Sequence, residues 1–283
     1  MPELPEVETM RRGIMPLLGS RVVDVRLTAC ERRPILFTPK LATFRQRIQG
    51  KMVARIDRLG KRVVMVLEDE GRVLFEPRMT GLVLLADPPT QDHLRVHFSL
   101  QGAVPGDAPT DLWYWDRRGL GSVRYYKEAD YAAEFAQGKL GPDALDVDLA
   151  ELRLRFATSR QPIKVALLDQ KRLAGIGNLY AAEILHLARI HPERTTDRLT
   201  APQWKQLFEA MREVLLLAIQ YEGSTLGDGT YRNALNQDGG YQNQHRVYAR
   251  AGNVCVSCGK GTIQRIVQAQ RATFFCPKCQ GRK

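Results

Sequence analysis

The sequence predicts an α+β protein, with a helix leading into a β-rich first half, a helical second half and a short metal-closed hairpin at the end. Three observations predict it. Between residues 20 and 126, short β-branched or aromatic runs alternate with turn residues. From about residue 130 the apolar period changes to 3.6, and the chain finishes on two C-x-x-C pairs. At 283 residues and 44% hydrophobic content, it is long enough for two domains of roughly 100 to 150 residues, each with its own core.

The chain opens MPELPEVETMRRG. Leu4, Val7, Met10, Ile14 and Leu17 recur at steps of three and four, which predicts an amphipathic helix ended by Gly19. Pro2 and Pro5 suit a first turn, and Glu3, Glu6 and Glu8 favour its positive end. The runs RVVDVRL, KMVARI, RVVMVLED, RVLFEP, GLVLLA, LRVHFSL, DLWYWD and GSVRYY have the spacing of a mostly antiparallel sandwich or barrel. Helices are expected at 130–137, 149–158, 163–170, 176–188 and 201–221. The segment KLGPDALDVD reads as a linker. The boundaries expected are 1–128 for the first domain, 129–145 for the linker, 146–245 for the helical domain and 246–283 for the terminal module. The glycine- and asparagine-rich stretch 223–244 has too little apolar content to bury much, so a mobile loop or one that orders on binding is expected.

The 42 Lys and Arg against 31 Asp and Glu give a formal net charge of +11, which points to a polyanion, with nucleic acid first. No stretch approaches the roughly 18 apolar residues of a membrane helix, and the Glu-rich start does not fit a signal peptide. A cytoplasmic protein without a membrane partner is expected. Cys30 stands alone and reads as a buried small residue.

Cys255 and Cys258, then Cys276 and Cys279, flank seventeen residues. Each pair lets two thiolates converge on one tetrahedral zinc, and a hairpin between them brings the pairs together. Four sulfurs leave no position for water, so the ion is structural. From Arg246 onward there are eight Lys or Arg and no Asp or Glu. Even with four thiolates and one divalent zinc the module stays near +6. Arg271, at the hairpin turn, can fork onto a phosphate oxygen, and the alternative is a solvated charge. Gly175 and Gly177 precede a helix whose first N–H groups can bind an anion, with Asn178 beside them, and a helix-turn-helix whose first helix ends at Pro192 would place those donors on one DNA strand. Tight packing explains such glycines equally well. Lys164, just upstream, has the plain reading of a surface lysine.

Taken in order, PELPEVET, Lys61 in RLGKRVV, RMTG from Arg78, DRRGLG from Asp116, PIKVALLDQKRLAGIGNLYAAEIL and QRATFFCPKC resemble the formamidopyrimidine-DNA glycosylases, a family that includes the endonuclease VIII-like enzymes. The resemblance runs the length of the chain. It implies an N-terminal helix on a β-sandwich, a helix-two-turn-helix domain, a lesion-capping loop at 223–244 and a zinc finger.

The resemblance also implies chemistry: removal of oxidised purines by an N-terminal proline Schiff base, then β,δ-elimination. Pro2, freed by loss of Met1, is the nucleophile. An α-amino group has a pKa near 8, so on the order of a tenth is neutral at pH 7, whereas a lysine near about 10.4 is protonated. Glu3 moves protons at the sugar, Glu6 supports the terminus, and Lys61 and Arg271 complete the catalytic set. Arg271 with Asn178 grips flanking phosphates, and His93 and Lys164 are further DNA contacts. Met79, Arg118 and Leu120 fill the gap left by the flipped nucleotide, Arg118 facing the orphaned base. Here the chain departs from the family pattern D-P-R-R-F-G, with Gly119 for the second arginine and Leu120 for phenylalanine. The expected partner is damaged double-stranded DNA, bound by a monomer that is nucleoid-associated through that DNA. Two alternatives are an endonuclease VIII-like enzyme for oxidised pyrimidines and a non-catalytic zinc-ribbon DNA binder.

Overall fold

The computed structural model describes residues 2–103, 109–136 and 139–281. Met1, whose removal the expected nucleophile requires, lies outside the described residues, as do linker residues 137–138 and the last two of the finger. By contact the chain forms two units, Met1–Ala136 with Ile219–Gln242, and Gln137–Ala218 with Asn243–Lys283.

In the first unit, α1 (Leu4–Gly13) leads into β1 (Arg21–Leu27), β2 (Leu36–Thr38), α2 (Leu41–Ile48), β3 (Val53–Leu59), β4 (Arg62–Leu67), β5 (Arg72–Glu76), β6 (Gly81–Leu84), β7 (Leu94–Gln101), β8 (Thr110–Asp116), β9 (Ser122–Tyr126) and α3 (Glu128–Glu134). The strands make a four-stranded sheet, β1-β7-β8-β6, and a five-stranded sheet, β2-β9-β5-β4-β3. Val96 and Phe98 of the first and Met65 and Phe75 of the second share one buried core with Val7, Met10, Ile14 and Leu17. Two sheets around one core are a sandwich. Tyr131 and Phe135 cover Val64, Val66 and Leu74 on the outer face of the larger sheet.

Four details differ from expectation. The first helix stops at Gly13, and a 3-10 turn, Met15–Leu17, carries the remaining apolar positions inward. Strand β2 and helix α2 interrupt the β-rich half. Strand β2 pairs parallel with β9, and α2 buries Phe44 and Ile48 in the sandwich core. Cys30 is half-buried and donates to the Asp92 carbonyl at 3.1 Å.

The fourth is the segment after Gly223, which buries more than its composition suggests and groups with the sandwich instead of the helices. Tyr231 and Ala234 enter the sandwich core. Its buried Asn233 finds partners close by in the chain. Asn233 Oδ1 accepts from Leu235 N–H at 3.0 Å and Gln237 N–H at 2.9 Å, and its Nδ2 donates to Glu222 at 2.9 Å. Local partners remove the desolvation cost that polar composition implies.

The second unit contains α4 (Leu149–Phe156), α5 (Ile163–Leu167), α6 (Asn178–Leu187), most of α7 (Ala201–Gln220) and the hairpin β10 (Gln264–Gln268) and β11 (Arg271–Phe275). Helix α6 ends before Pro192, not at it. Arg189 takes φ +56°, its N–H donates to His186 and that of Ile190 donates to Leu185 at 3.0 Å, so the last carbonyls are capped by a Schellman turn. In the finger, Ala269 and Gln270 both have positive φ and form the two-residue turn that sets Gln268 opposite Arg271.

Candidate functional site

Pro2 and Glu3 are both buried just ahead of α1. Glu3 is the N-cap and Glu6 the third helical residue, closing a capping box in which the Glu3 N–H donates to Glu6 Oε2 at 2.9 Å. The other oxygen, Oε1, accepts the Ser224 N–H at 2.9 Å. Gly223, at φ +78°, allows this approach, since a Cβ there would lie 2.8 Å from Glu6 Cγ. Tyr231 donates to Glu222 O at 2.9 Å and lies 3.5 Å from Glu6 O. Burial, with Glu6 nearby, pushes its hydroxyl pKa well above the usual value. Glu6 therefore joins the Glu3 N–H, ahead of α1, to the segment that follows α7.

Glu8 turns to the other side of α1. Arg11 Nη2 and Arg12 Nε reach its Oε1 at 2.8 Å each, and Arg58 Nε reaches its Oε2 at 3.0 Å. Burial opposes ionisation of this carboxyl, but the three guanidinium groups outweigh it and hold the pKa at about 2. Arg58 also donates to Gly60 O at 3.2 Å. Lys61 stands next to Gly60 in the two-residue turn between β3 and β4, half-buried. Thus a charge cluster at the back of α1 braces the turn that carries Lys61.

Two loops carry the groups expected to enter the duplex. Met79 is exposed in the turn before β6, and Arg118 is exposed after β8. Leu120 is half-buried. Asp116, wholly buried, holds the two loops together. It accepts from Thr80 Oγ1 and, at 3.1 Å, from Arg118 N–H through Oδ1, and from Gly121 N–H at 2.8 Å through Oδ2. The Arg118 N–H also reaches Thr80 Oγ1 at 3.0 Å. His93 precedes β7, half-buried and edge-on to Trp115 at 5.4 Å, and its backbone carbonyl accepts the Asp116 N–H at 2.9 Å.

In the second unit, Asn178 opens α6 and its Nδ2 donates to Ala272 O at 3.0 Å, beside exposed Arg271. Lys164 is not a surface lysine. It is wholly buried, and its ammonium donates to Asn178 Oδ1 and, at 3.5 Å, to Ala272 O. A buried ammonium needs such partners, and here they fix Asn178 and the start of β11. Gln170 steadies the loop before α6, accepting from Gly175 N–H at 3.0 Å and donating to Ile176 O at 2.8 Å.

The four cysteine sulfurs lie within 4.8 Å of one another, with Cys255 to Cys279 and Cys258 to Cys276 both at 3.8 Å. A tetrahedral zinc with bonds of about 2.3 Å has edges of about 3.8 Å, so the donor set fits one structural zinc. Helix α6 supports the module. Glu183, wholly buried, accepts the N–H groups of Arg246, Val247 and Tyr248 at 2.8, 3.0 and 2.7 Å. His186 Nε2 lies 3.5 Å from Cys255 Sγ. Burial, with Arg246 and Arg189 nearby, lowers its pKa to about 4, and a ring N–H on Nε2 is within reach of the sulfur.

A β-sandwich with a capped N-terminal proline helix, paired with a helical unit that ends in a four-sulfur ribbon beside an anion-ready helix start, defines a DNA glycosylase. Models of the Formamidopyrimidine-DNA glycosylase N-terminal domain, of its H2TH domain and of the zinc finger found in FPG and IleRS match residues 1–123, 140–229 and 252–281. The formamidopyrimidine-DNA glycosylase of Chloroflexus aurantiacus is 40% identical over 280 residues, covering 99% of this chain and 98% of that protein. The Lactococcus lactis Fpg in complex with abasic-site DNA superposes with a TM-score of 0.86 at 31% identity, over 99% of this chain and 100% of that one. The Thermus thermophilus MutM (FPG) structure gives 0.83 at 35% identity, over 100% of both. The chain belongs to the formamidopyrimidine-DNA glycosylase family.

Sequence reasoning missed Asp116, Glu183, Gln170 and Ser224 as organisers. Asp116 and Glu183 had a readable signal, since each is a carboxylate inside an apolar or aromatic run and is buried only with partners. The tie to Ser224 runs through its backbone N–H, which no residue type in a sequence marks.

Proposed function

We propose that the chain is a bifunctional DNA glycosylase and AP lyase that removes oxidised purines, 8-oxoguanine and formamidopyrimidines, from duplex DNA. The observation that carries this reading is the buried, doubly anchored N-terminus. Pro2 precedes a residue whose N–H is fixed by Glu6, and burial disfavours the protonated form of an amine at that position.

The Pro2 nitrogen attacks deoxyribose C1′, the bond from C1′ to the base breaks, and the base leaves with a proton. Glu3 handles the proton at the ring oxygen as the sugar opens. The resulting iminium acidifies the C2′ hydrogen. Loss of that proton expels the 3′ phosphate, and a second elimination expels the 5′ phosphate. Lys61 and Arg271 serve the flanking phosphates and the proton transfers, with Asn178 held for the same contact by Lys164. Met79, Arg118 and Leu120 occupy the space of the extruded nucleotide, which offsets an unstacking cost of a few kcal/mol. Zinc supplies structural closure of the finger and takes no part in these steps.

A purine substrate is favoured over a pyrimidine one because the full-length relatives carry the formamidopyrimidine name, and a Lactococcus lactis Fpg variant binds Fapy-dG containing DNA. A purely binding protein has no use for a proline amine beside a carboxylate. Borohydride trapping on an 8-oxoguanine duplex tests the reading. Protein lacking Met1 should give a covalent adduct. Protein retaining Met1, whose Pro2 nitrogen is an amide, should give none. Equal adduct from both forms, or tight binding with no adduct from the processed form, overturns it.

A further inference from the structure

Gly119, where the family pattern has a second arginine, takes φ +59°, and a Cβ there would lie 2.1 Å from Arg33 O and 3.3 Å from Arg33 Cβ. Position 119 thus cannot carry a side chain. The main chain of Arg33 occupies that space, and the Arg33 side chain starts close to where one at 119 would start. The arrangement is built in. Leu36 N–H donates to Gly121 O at 3.2 Å, and β2 then continues in parallel register with β9, Leu36 opposite Ser122. The stretch Glu31–Pro34 is held alongside the loop of Arg118 and Leu120.

Arg33 is exposed, as is Arg32, and among the described residues neither guanidinium has an ion pair or hydrogen bond. Arg117 and Arg118 are exposed on the facing loop. Free guanidinium groups gathered at a loop that enters a duplex suit the backbone oxygens next to the point of entry, where a planar fork matches phosphate.

We propose that Arg33 is a DNA-backbone contact, standing in space for the arginine that this chain lacks at position 119. The 31–34 segment is then part of the DNA-binding surface, and Gly119 is the residue that makes room for it. The inference rests on the reading of Arg118 and Leu120 as groups that enter the duplex.

Binding of the full protein to a duplex containing a tetrahydrofuran abasic analogue, measured across a salt series, tests it. Arg33→Ala should lower the slope of log affinity against log salt by about one and weaken binding roughly fivefold to tenfold at 0.1 M salt. The melting temperature should not change, because the side chain is exposed. Arg33→Lys should restore the slope, and Arg32→Ala should leave it near the parent value. An unchanged slope in Arg33→Ala overturns the inference, as does an equal loss in Arg32→Ala, which reduces the effect to diffuse charge. Opposite-base preference of Arg118→Ala, read in parallel, separates the two layers. If that preference is lost while Arg33→Ala keeps its slope, the proposal for Arg33 alone fails. If Arg118→Ala changes nothing, the duplex-entry reading fails and this inference with it.

Discussion

The carboxylate of Glu6 accepts the backbone N–H of Ser224, 218 residues away in sequence, at 2.9 Å. Its second oxygen holds the Glu3 N–H, so one side chain ties the start of the chain to the segment after α7.

Glu6→Gln tests that tie. The amide keeps one acceptor and turns an NH2 toward one of two buried N–H donors. Stability should fall by about 1 to 3 kcal/mol for the unsatisfied donor. Single-turnover excision should fall by roughly tenfold, because the nucleophile loses its fixed position. Thermal melting and single-turnover kinetics check the two effects. A variant with parental excision rates would show that the anchor does not serve the chemistry.

Glu8 predicts an acid-sensitive brace. Its pKa is depressed from 4.5 to about 2 in the folded chain, so its stabilisation is complete above about pH 4.5 and disappears as pH falls through 2. Screening of the Arg12 partner, 58% exposed, limits the contribution to about 1 to 2 kcal/mol. Chemical denaturation of parent and Glu8→Gln should differ by that amount at pH 7 and converge toward pH 2. A difference that is constant with pH would assign the effect to packing.

The strands were legible because β-branched runs separated by turn residues read the same way locally and in the finished sandwich, and the C-x-x-C pairs were legible because ligand spacing is itself local. Helix α2 was not, although Leu41, Phe44 and Ile48 have helical spacing, because eight residues between strands give too few turns to stand out. The segment after Gly223 misled for a different reason. Its glycines and asparagines suggest mobility, but the outcome depends on whether groups such as Asn233 find partners, and only the folded structure supplies those. Lys164 shows the same limit: charge predicts exposure, and the exception is decided by Asn178, fourteen residues away in sequence.

Lys164 and Arg271 should separate by salt dependence. Lys164 is buried and acts by holding Asn178, so Lys164→Met should weaken DNA binding roughly tenfold with an unchanged salt slope. Arg271 is exposed at the hairpin turn, so Arg271→Ala should reduce the slope by about one. Affinity measured from low to moderate salt checks both. A slope loss in Lys164→Met would mean that the lysine leaves its pocket to meet phosphate.

The finger should come apart in two steps, because two different agents hold it. Zinc closes the hairpin, whose own core is little more than Cys255, Ile263 and Cys276 with Phe274 beside them. Glu183 holds Arg246, Val247 and Tyr248 to α6 without metal. Cys276→Ala should therefore lose zinc and the protection of 264–275 against hydrogen exchange, since a hairpin of that size does not fold without its ion. The amides of residues 246–248 should stay protected, because their acceptor is a buried carboxylate independent of the ion. DNA affinity should fall by at least the Arg271 contribution, as that residue loses its fixed place opposite Gln268. Zinc content by atomic absorption and exchange by mass spectrometry read the two layers separately. Retained zinc would refute the ligand set, and equal exchange at 246–248 and 264–275 would refute the division of labour between the ion and Glu183.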